Sequence, residues 1–351
     1  MAFLEIKSVK IAGIAACVPP RVEENIDLPV FIPGEAEKVI EQTGIERKHL
    51  VDEGVVLSDL CAKAGEKLLE ELGWEKDSIE AICLVSLSPD YPEPPTAYII
   101  QHKLGLSENC YIIDVNQGCP GWVLGLSSIG SVLSQGTMKR ALLFTGDLPF
   151  THNSPFDKEV RPIFGDGCSV TALEYEVTAT PLQFHFGARG KDFDAIIRQY
   201  GGTVHPITEE SLQYVEYGTN IKRRGIDATM KGMDVFVFGI TQVPKSLKEL
   251  CDHFNLDLQS MDKCLFHQAN RYMVDKIRKK MKIDENKVPF SMKDYGNTAS
   301  ASIPLTLVTQ CHEEYSSRRM ESIACAFGTG LSWCSVHFVT DKIVCPEIII
   351  Y

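Results

Sequence analysis

The sequence predicts an α/β protein made of two duplicated halves, and three observations carry the prediction. Segments such as AICLVSLS (81–88) and RALLFTGD (140–147) are apolar without strict alternation, as in strands covered on both faces. Helical stretches of roughly 10–15 residues separate them, the pattern of parallel βαβ units. A weak internal repeat is also present. LGWEKDSIEAICLVS, starting at 72, matches FNLDLQSMDKCLFHQ, starting at 254, an offset of 182. KLGLSENCYIIDV, starting at 103, matches KMKIDENKVPFSM, starting at 280, an offset of 177. Two consecutive helix-strand units in the same order and nearly the same offset point to duplication, with halves at 1–177 and 178–351.

Along the chain, Glu5, Lys7 and Lys10 interrupt the apolar residues of the first twenty positions, which therefore lack the uninterrupted apolar core of a signal peptide. No run approaches the ~20 apolar residues of a membrane-spanning helix, so the chain is expected in the cytoplasm. With 351 residues, 44% of them hydrophobic, it is long enough to bury a large core. The net charge of −12 argues against a nucleic-acid partner. Twelve scattered cysteines, many inside apolar runs and none in a CxxC pair, read as reduced thiols. No metal site is expected, since His267 has no partners at ligand spacing.

Chemistry concentrates at element junctions. DVNQGCPGWVLGL (114–126) places Cys119 between an apolar strand and a helix starting near Pro120. Free N–H groups and the positive end of the helix dipole there favour thiolate over thiol, and Gly118 and Gly121 leave the surroundings open. Most cysteines are small buried residues; this setting instead suggests a nucleophile. His267 ends a strand in LFHQAN, and adding 177 to 119 gives Gly296, beside Asn297 in YGNTASAS. His267 alone reads equally well as a structural residue, and Asn297 as a turn former. The Cys, His, Asn order also occurs in papain-like proteases, but the βα repeat and the absence of their local signature argue against that reading.

Taken together, DVNQGCPGW, FGDGCSV (164–170), LFHQAN, YGNTASAS and AFGTGLSW (326–333) resemble the motifs of the β-ketoacyl-acyl-carrier-protein synthase III family. They occur in the family's order from TGIERKH (43–49) to the C-terminal strand. The resemblance implies a five-layered, thiolase-like αβαβα fold, usually a homodimer. It implies an acyl group carried on Cys119, and His267 and Asn297 as donors to the carbonyl of a malonyl-type extender during decarboxylation. A second oxyanion site would use the backbone N–H groups of Cys119 and Thr329. The substrates implied are acyl-CoA or acyl-carrier-protein thioesters, with no bound cofactor.

Departures from the family pattern matter too. The positions of its CoA-gripping tryptophan and arginines hold Lys38, Gln42, Lys158 and Tyr272, with Arg271 adjacent to the last. Lys279 and Lys280 match basic positions for docking an acidic carrier protein, with Arg271 a third candidate. Glu93 in SPDYPEPPTAY stands near a position where related olefin-forming enzymes hold a cross-subunit base, which suggests a non-decarboxylative alternative. A Cys-His thioesterase, which would pass the acyl group to water, and a non-catalytic scaffold are the remaining alternatives.

Overall fold

The computed structural model describes residues 2–351. Two mixed sheets form its frame. The first runs Ile349–Ile350, Val9–Val18, Gly167–Tyr175, Arg140–Asp147, Ala81–Val85, Tyr111–Val115, and its last three-strand stretch is parallel. The second runs Ala2–Ile6, Leu182–Ala188, Ser332–Asp341, Arg319–Gly328, Lys263–Phe266, with only the last pair parallel.

Helices Gly121–Leu133 and Ser302–Ser317 lie between the sheets and share one core with both. Helices Leu57–Leu72 and Thr96–Leu104 cover the outer face of the first sheet, and Gly232–Phe254 and Arg271–Met281 that of the second. The result is the five-layered αβαβα arrangement. Central and outer helices differ in sequence for this reason. Leu57–Leu72 buries Leu57, Leu60, Cys61, Ala64 and Leu68 as one stripe. Gly121–Leu133 is buried on nearly every side, and a Cβ at Gly125 would meet Leu143 Cδ1 at 2.5 Å.

The duplication is visible in matched elements. Strands Ala81–Val85 and Lys263–Phe266 begin at 81 and 263, an offset of 182. Helices Thr96–Leu104 and Arg271–Met281 end at left-handed caps Gly105 and Lys282, an offset of 177. One predicted strand does not form: Val288–Phe290 pairs with nothing in the second sheet, whereas its counterpart Tyr111–Val115 is an edge strand of the first. Pro289 has no N–H to give a ladder. The chain ends are exchanged between the sheets, Ala2–Ile6 lying in the second and Ile349–Ile350 in the first.

Candidate active site

Cys119 sits on the tight turn between strand Tyr111–Val115 and helix Gly121–Leu133. The Gly121 N–H donates to the Gly118 carbonyl (2.7 Å), so Pro120 is the helix cap and the helix begins one residue later than its sequence suggests. The glycines serve close packing rather than openness. A Cβ on Gly118 would lie 2.9 Å from Leu87 Cδ1 and 3.0 Å from Thr329 Oγ1; one on Gly121 would lie 2.8 Å from Val85 Cγ1. Gly328, from the second half, is pressed equally close, and its Cβ would fall 2.8 Å from Cys119 Cβ. The turn carrying Cys119 and the strand end carrying Gly328 and Thr329 thus meet in contact.

The expected thiolate is not the resting form. Burial, and then the Asp147 carboxylate, push the Cys119 thiol up to about 12, while its own backbone N–H pulls the other way. Asp147 ends strand Arg140–Asp147 and is itself raised to about 6 by burial. It accepts from Ser300 Oγ (2.6 Å), Ser300 N–H (3.1 Å) and Leu87 N–H (2.7 Å), tying the two halves together behind the cysteine. The motifs gave no notice of this acid, although a strand-terminal carboxylate after RALLFTG was a readable signal.

His267 follows strand Lys263–Phe266 and is 2% exposed. Its Nδ1 hydrogen-bonds Ser302 Oγ (2.7 Å), and its ring packs edge-on against Phe327. Burial drops its pKa to about 3, so the imidazole is neutral. Asn297 does not sit at a strand-to-helix junction as expected; it follows the short helix Met292–Tyr295 and is held by the Phe164 loop. Its N–H donates to Ile163 O (2.9 Å) and its carbonyl accepts from Gly165 N–H (3.2 Å). Gly165 and Gly296 permit this approach: a Cβ on Gly165 would overlap the Tyr295 carbonyl, and one on Gly296 would sit 2.8 Å from Ile163 O. Asn297 Oδ1 accepts from Ala299 N–H (2.9 Å), which commits the carbonyl end and leaves the NH₂ as donor.

Two cavities meet at Cys119. One, of about 760 Å³, is lined by Cys119, His267, Asn297 and Gly328 at its floor and by Phe31, Lys38, Gln42, Lys158 and Met233 further out. The other, of about 430 Å³, contains Cys119, Gly118, Thr329 and Asp147 and continues to His152, Asn153 and Arg198. The remaining predicted residues lie elsewhere. Glu93 is exposed on the loop before helix Thr96–Leu104 and lines neither cavity. Lys279 and Lys280 are exposed on the last turn of helix Arg271–Met281, Lys280 Nζ reaching the Ile240 carbonyl (3.3 Å). Arg271 lies over the Phe290 ring and near Asp275 and Glu285. Tyr272 stacks on Phe236 at the rim of the larger cavity. All twelve cysteines are free, and among the described residues no helix is long and apolar enough to cross a membrane.

Comparison with known proteins bears out the family resemblance and the fold. Residues 113–190 match the family model for 3-oxoacyl-[acyl-carrier-protein (ACP)] synthase III, and residues 251–339 match the model for its C-terminal part. A putative 3-oxoacyl-[acyl-carrier-protein] synthase 3 of Campylobacter jejuni is 30% identical, over 97% of each chain. A β-ketoacyl-[acyl-carrier-protein] synthase III of Koribacter versatilis is 28% identical, over 93% of this chain and 96% of that one. The crystal structure of a 3-oxoacyl-(acyl-carrier protein) synthase from Burkholderia xenovorans superimposes with a TM-score of 0.93 at 32% identity, covering 100% of this chain and 99% of the other. Xanthomonas campestris OleA, 19% identical with a TM-score of 0.75 over 96% of this chain and 98% of its own, shares the fold. The matches define the class as thiolase-fold condensing acyltransferases. The chain belongs to the 3-oxoacyl-[acyl-carrier-protein] synthase III family.

Proposed function

We propose that Cys119 carries the acyl group between two half-reactions and that His267, Asn297 and Thr329 serve the second. The observation that supports this most is the position of Cys119 where two cavities join, with His267 and Asn297 lining only the larger. A thioester entering the larger cavity presents its carbonyl to Sγ. Sulfur attacks, the acyl chain passes to Cys119 and extends into the smaller cavity, and the thiol proton leaves on the departing thiol of CoA or carrier.

A malonyl thioester then takes the vacated channel. Loss of its carboxylate as CO₂ leaves an enolate, whose oxygen receives hydrogen bonds from His267 Nε2–H and Asn297 Nδ2–H. Neutral donors suit a developing oxyanion, and burial keeps His267 neutral. The enolate carbon attacks the acyl carbonyl on Cys119, with the backbone N–H groups of Cys119 and Thr329 at the oxyanion. Collapse releases the 3-oxoacyl thioester and a Cys119 thiolate, which takes up a proton. Since the thiol is held near 12, acylation requires deprotonation coupled to attack rather than a standing thiolate.

In this reading the halves 1–177 and 178–351 contribute the nucleophile and the donors respectively, and the protein works as a cytoplasmic homodimer. Exposed Lys279 and Lys280, with Arg271 at the other end of the same helix, offer positive charge to an acidic carrier on a chain of net charge −12. Lys38, Gln42 and Lys158 at the channel mouth offer no arginine to a nucleotide, and Lys158 is engaged by Glu35 (3.0 Å), which favours carrier-bound over CoA-bound donors. Intact-mass analysis tests the proposal: an acyl adduct is expected on the wild type and not on Cys119→Ala. An adduct that persists in the variant, or one that yields only free acid when malonyl thioester is added, would overturn it.

A further inference from the structure

The smaller cavity is not the plain apolar slot an unadorned alkyl chain calls for. Its far wall is a short two-stranded ribbon, Ile196–Arg198 against Ala228–Met230, fastened by Thr229 Oγ1 to the Ile197 carbonyl (3.2 Å). The Ala228 N–H donates to the His152 carbonyl (2.9 Å), which fixes His152 to that wall. Arg198 Nη1 lies 2.9 Å from His152 Nδ1. A guanidinium only donates, so Nδ1 is the acceptor and the imidazole proton resides on Nε2.

That Nε2 is buried and has no hydrogen-bond partner among the described residues. A buried donor left unpaired is unfavourable and rare in folded proteins. Burial and the Arg198 charge hold the imidazole down at about 4, so it stays neutral and keeps this tautomer. Asp227, whose charge reaches His152, is already taken up by Arg224 through two hydrogen bonds (2.7 and 3.1 Å). The oxygens of Asp147, at the cysteine end of the same cavity, are likewise occupied by Ser300 and Leu87. Asn153 adds an amide to the same wall. His152 and Arg198 thus bring donors to this cavity, and the Nε2–H of His152 has no partner among the described residues.

We propose that the 430 Å³ cavity receives an acyl chain bearing an oxygen acceptor, a hydroxyl or a carboxylate, bound by the Nε2–H of His152 and the guanidinium of Arg198. The proposal rests on Cys119 being the acylated residue and specifies what it carries. An alkyl chain of the same length leaves the His152 donor unpaired, whereas an oxygenated chain completes it, so discrimination is set by a hydrogen bond rather than by length.

The experiment measures the rate of Cys119 acylation by intact mass with butyryl, 3-hydroxybutyryl and succinyl thioesters, on the wild type and on His152→Leu, His152→Gln and Arg198→Met. The wild type is expected to load one of the oxygenated chains at least about tenfold faster than butyryl. His152→Leu should lose that preference while still loading butyryl, and His152→Gln, which keeps a donor, should retain part of it. A preference for 3-hydroxybutyryl identifies a hydroxyl, and one for succinyl that collapses in Arg198→Met identifies a carboxylate. Equal loading of all three chains, or a preference that survives both His152→Leu and Arg198→Met, would overturn the inference and leave the acyl-enzyme standing. Loading by none of them would overturn the acyl-enzyme reading and this inference with it.

Discussion

Replacing Ser302 by alanine should impair condensation while sparing acylation. Ser302 opens the central helix Ser302–Ser317, and its hydroxyl is the partner of His267 Nδ1 at 2.7 Å. Burial holds His267 at about 3, so charge cannot choose between its ring nitrogens, and the hydrogen bond must. When Ser302 O–H donates to Nδ1, the remaining proton stays on Nε2, the donor the enolate needs. In Ser302→Ala, Nδ1 becomes a buried group without a partner, at a cost of about 1–3 kcal/mol. Expressed in a transition state that depends on that donor, this is a loss of about 5- to 150-fold. The assay is single-turnover condensation of malonyl thioester on enzyme already acylated at Cys119, with acylation timed separately. Ser302→Thr, which keeps the hydroxyl, should recover much of the rate. Condensation at the wild-type rate in Ser302→Ala, or an equal fall in acylation, would show that Ser302 does not set the His267 tautomer for condensation.

Other perturbations read different parts of the site. Gly328→Ala drives a Cβ to 2.8 Å from Cys119 Cβ, so acylation should fall about 100-fold with the circular dichroism spectrum unchanged. Burial is the larger cause that raises the cysteine and Asp147 the smaller; Asp147→Asn removes only the second, so iodoacetamide alkylation of Cys119, followed against pH, should show its thiol titrating below the wild-type value of about 12. Burial holds Asp166 up at about 7, so the native state binds a proton that the unfolded chain has released between about pH 4 and pH 7. The stability advantage of wild type over Asp166→Asn in urea unfolding should therefore shrink as pH rises through that window; an advantage that grows would contradict the assignment. Trp122 is fully buried, hydrogen-bonds Thr171 Oγ1 (3.0 Å) and packs edge-on to Phe338, so Trp122→Ala should cost about 3–5 kcal/mol in the same assay.

What the sequence disclosed, and what it withheld, follows from the range of the interactions involved. The duplication was readable because each half repeats local patterns, and caps such as Gly105 and Lys282 keep their offset in space. Cys119 was readable because its turn needs glycine on one side and a helix entrance on the other. The height of its pKa was not, since it depends on burial and on Asp147, 28 positions along the chain, held in place by Ser300 from the other half. Val288–Phe290 shows the converse error, where a repeated pattern was trusted over Pro289. Glu93 is exposed on the single chain, and a role at the other subunit's cysteine depends on a second chain that sequence spacing does not place. The His152 and Arg198 wall escaped notice because 46 residues separate two groups that only the ribbon and its bond to the His152 carbonyl bring to 2.9 Å.

A single-turnover measurement decides whether an acyl group on Cys119 is consumed by an enolate generated beside His267 and Asn297. Enzyme isolated with its Cys119 adduct is mixed with malonyl carrier protein, and CO₂ release is counted against loss of the adduct. One CO₂ and one 3-oxoacyl product are expected for each adduct lost, and the adduct should survive in His267→Ala and Asn297→Ala. Loss of the adduct without CO₂, or undiminished condensation in both variants, would contradict it.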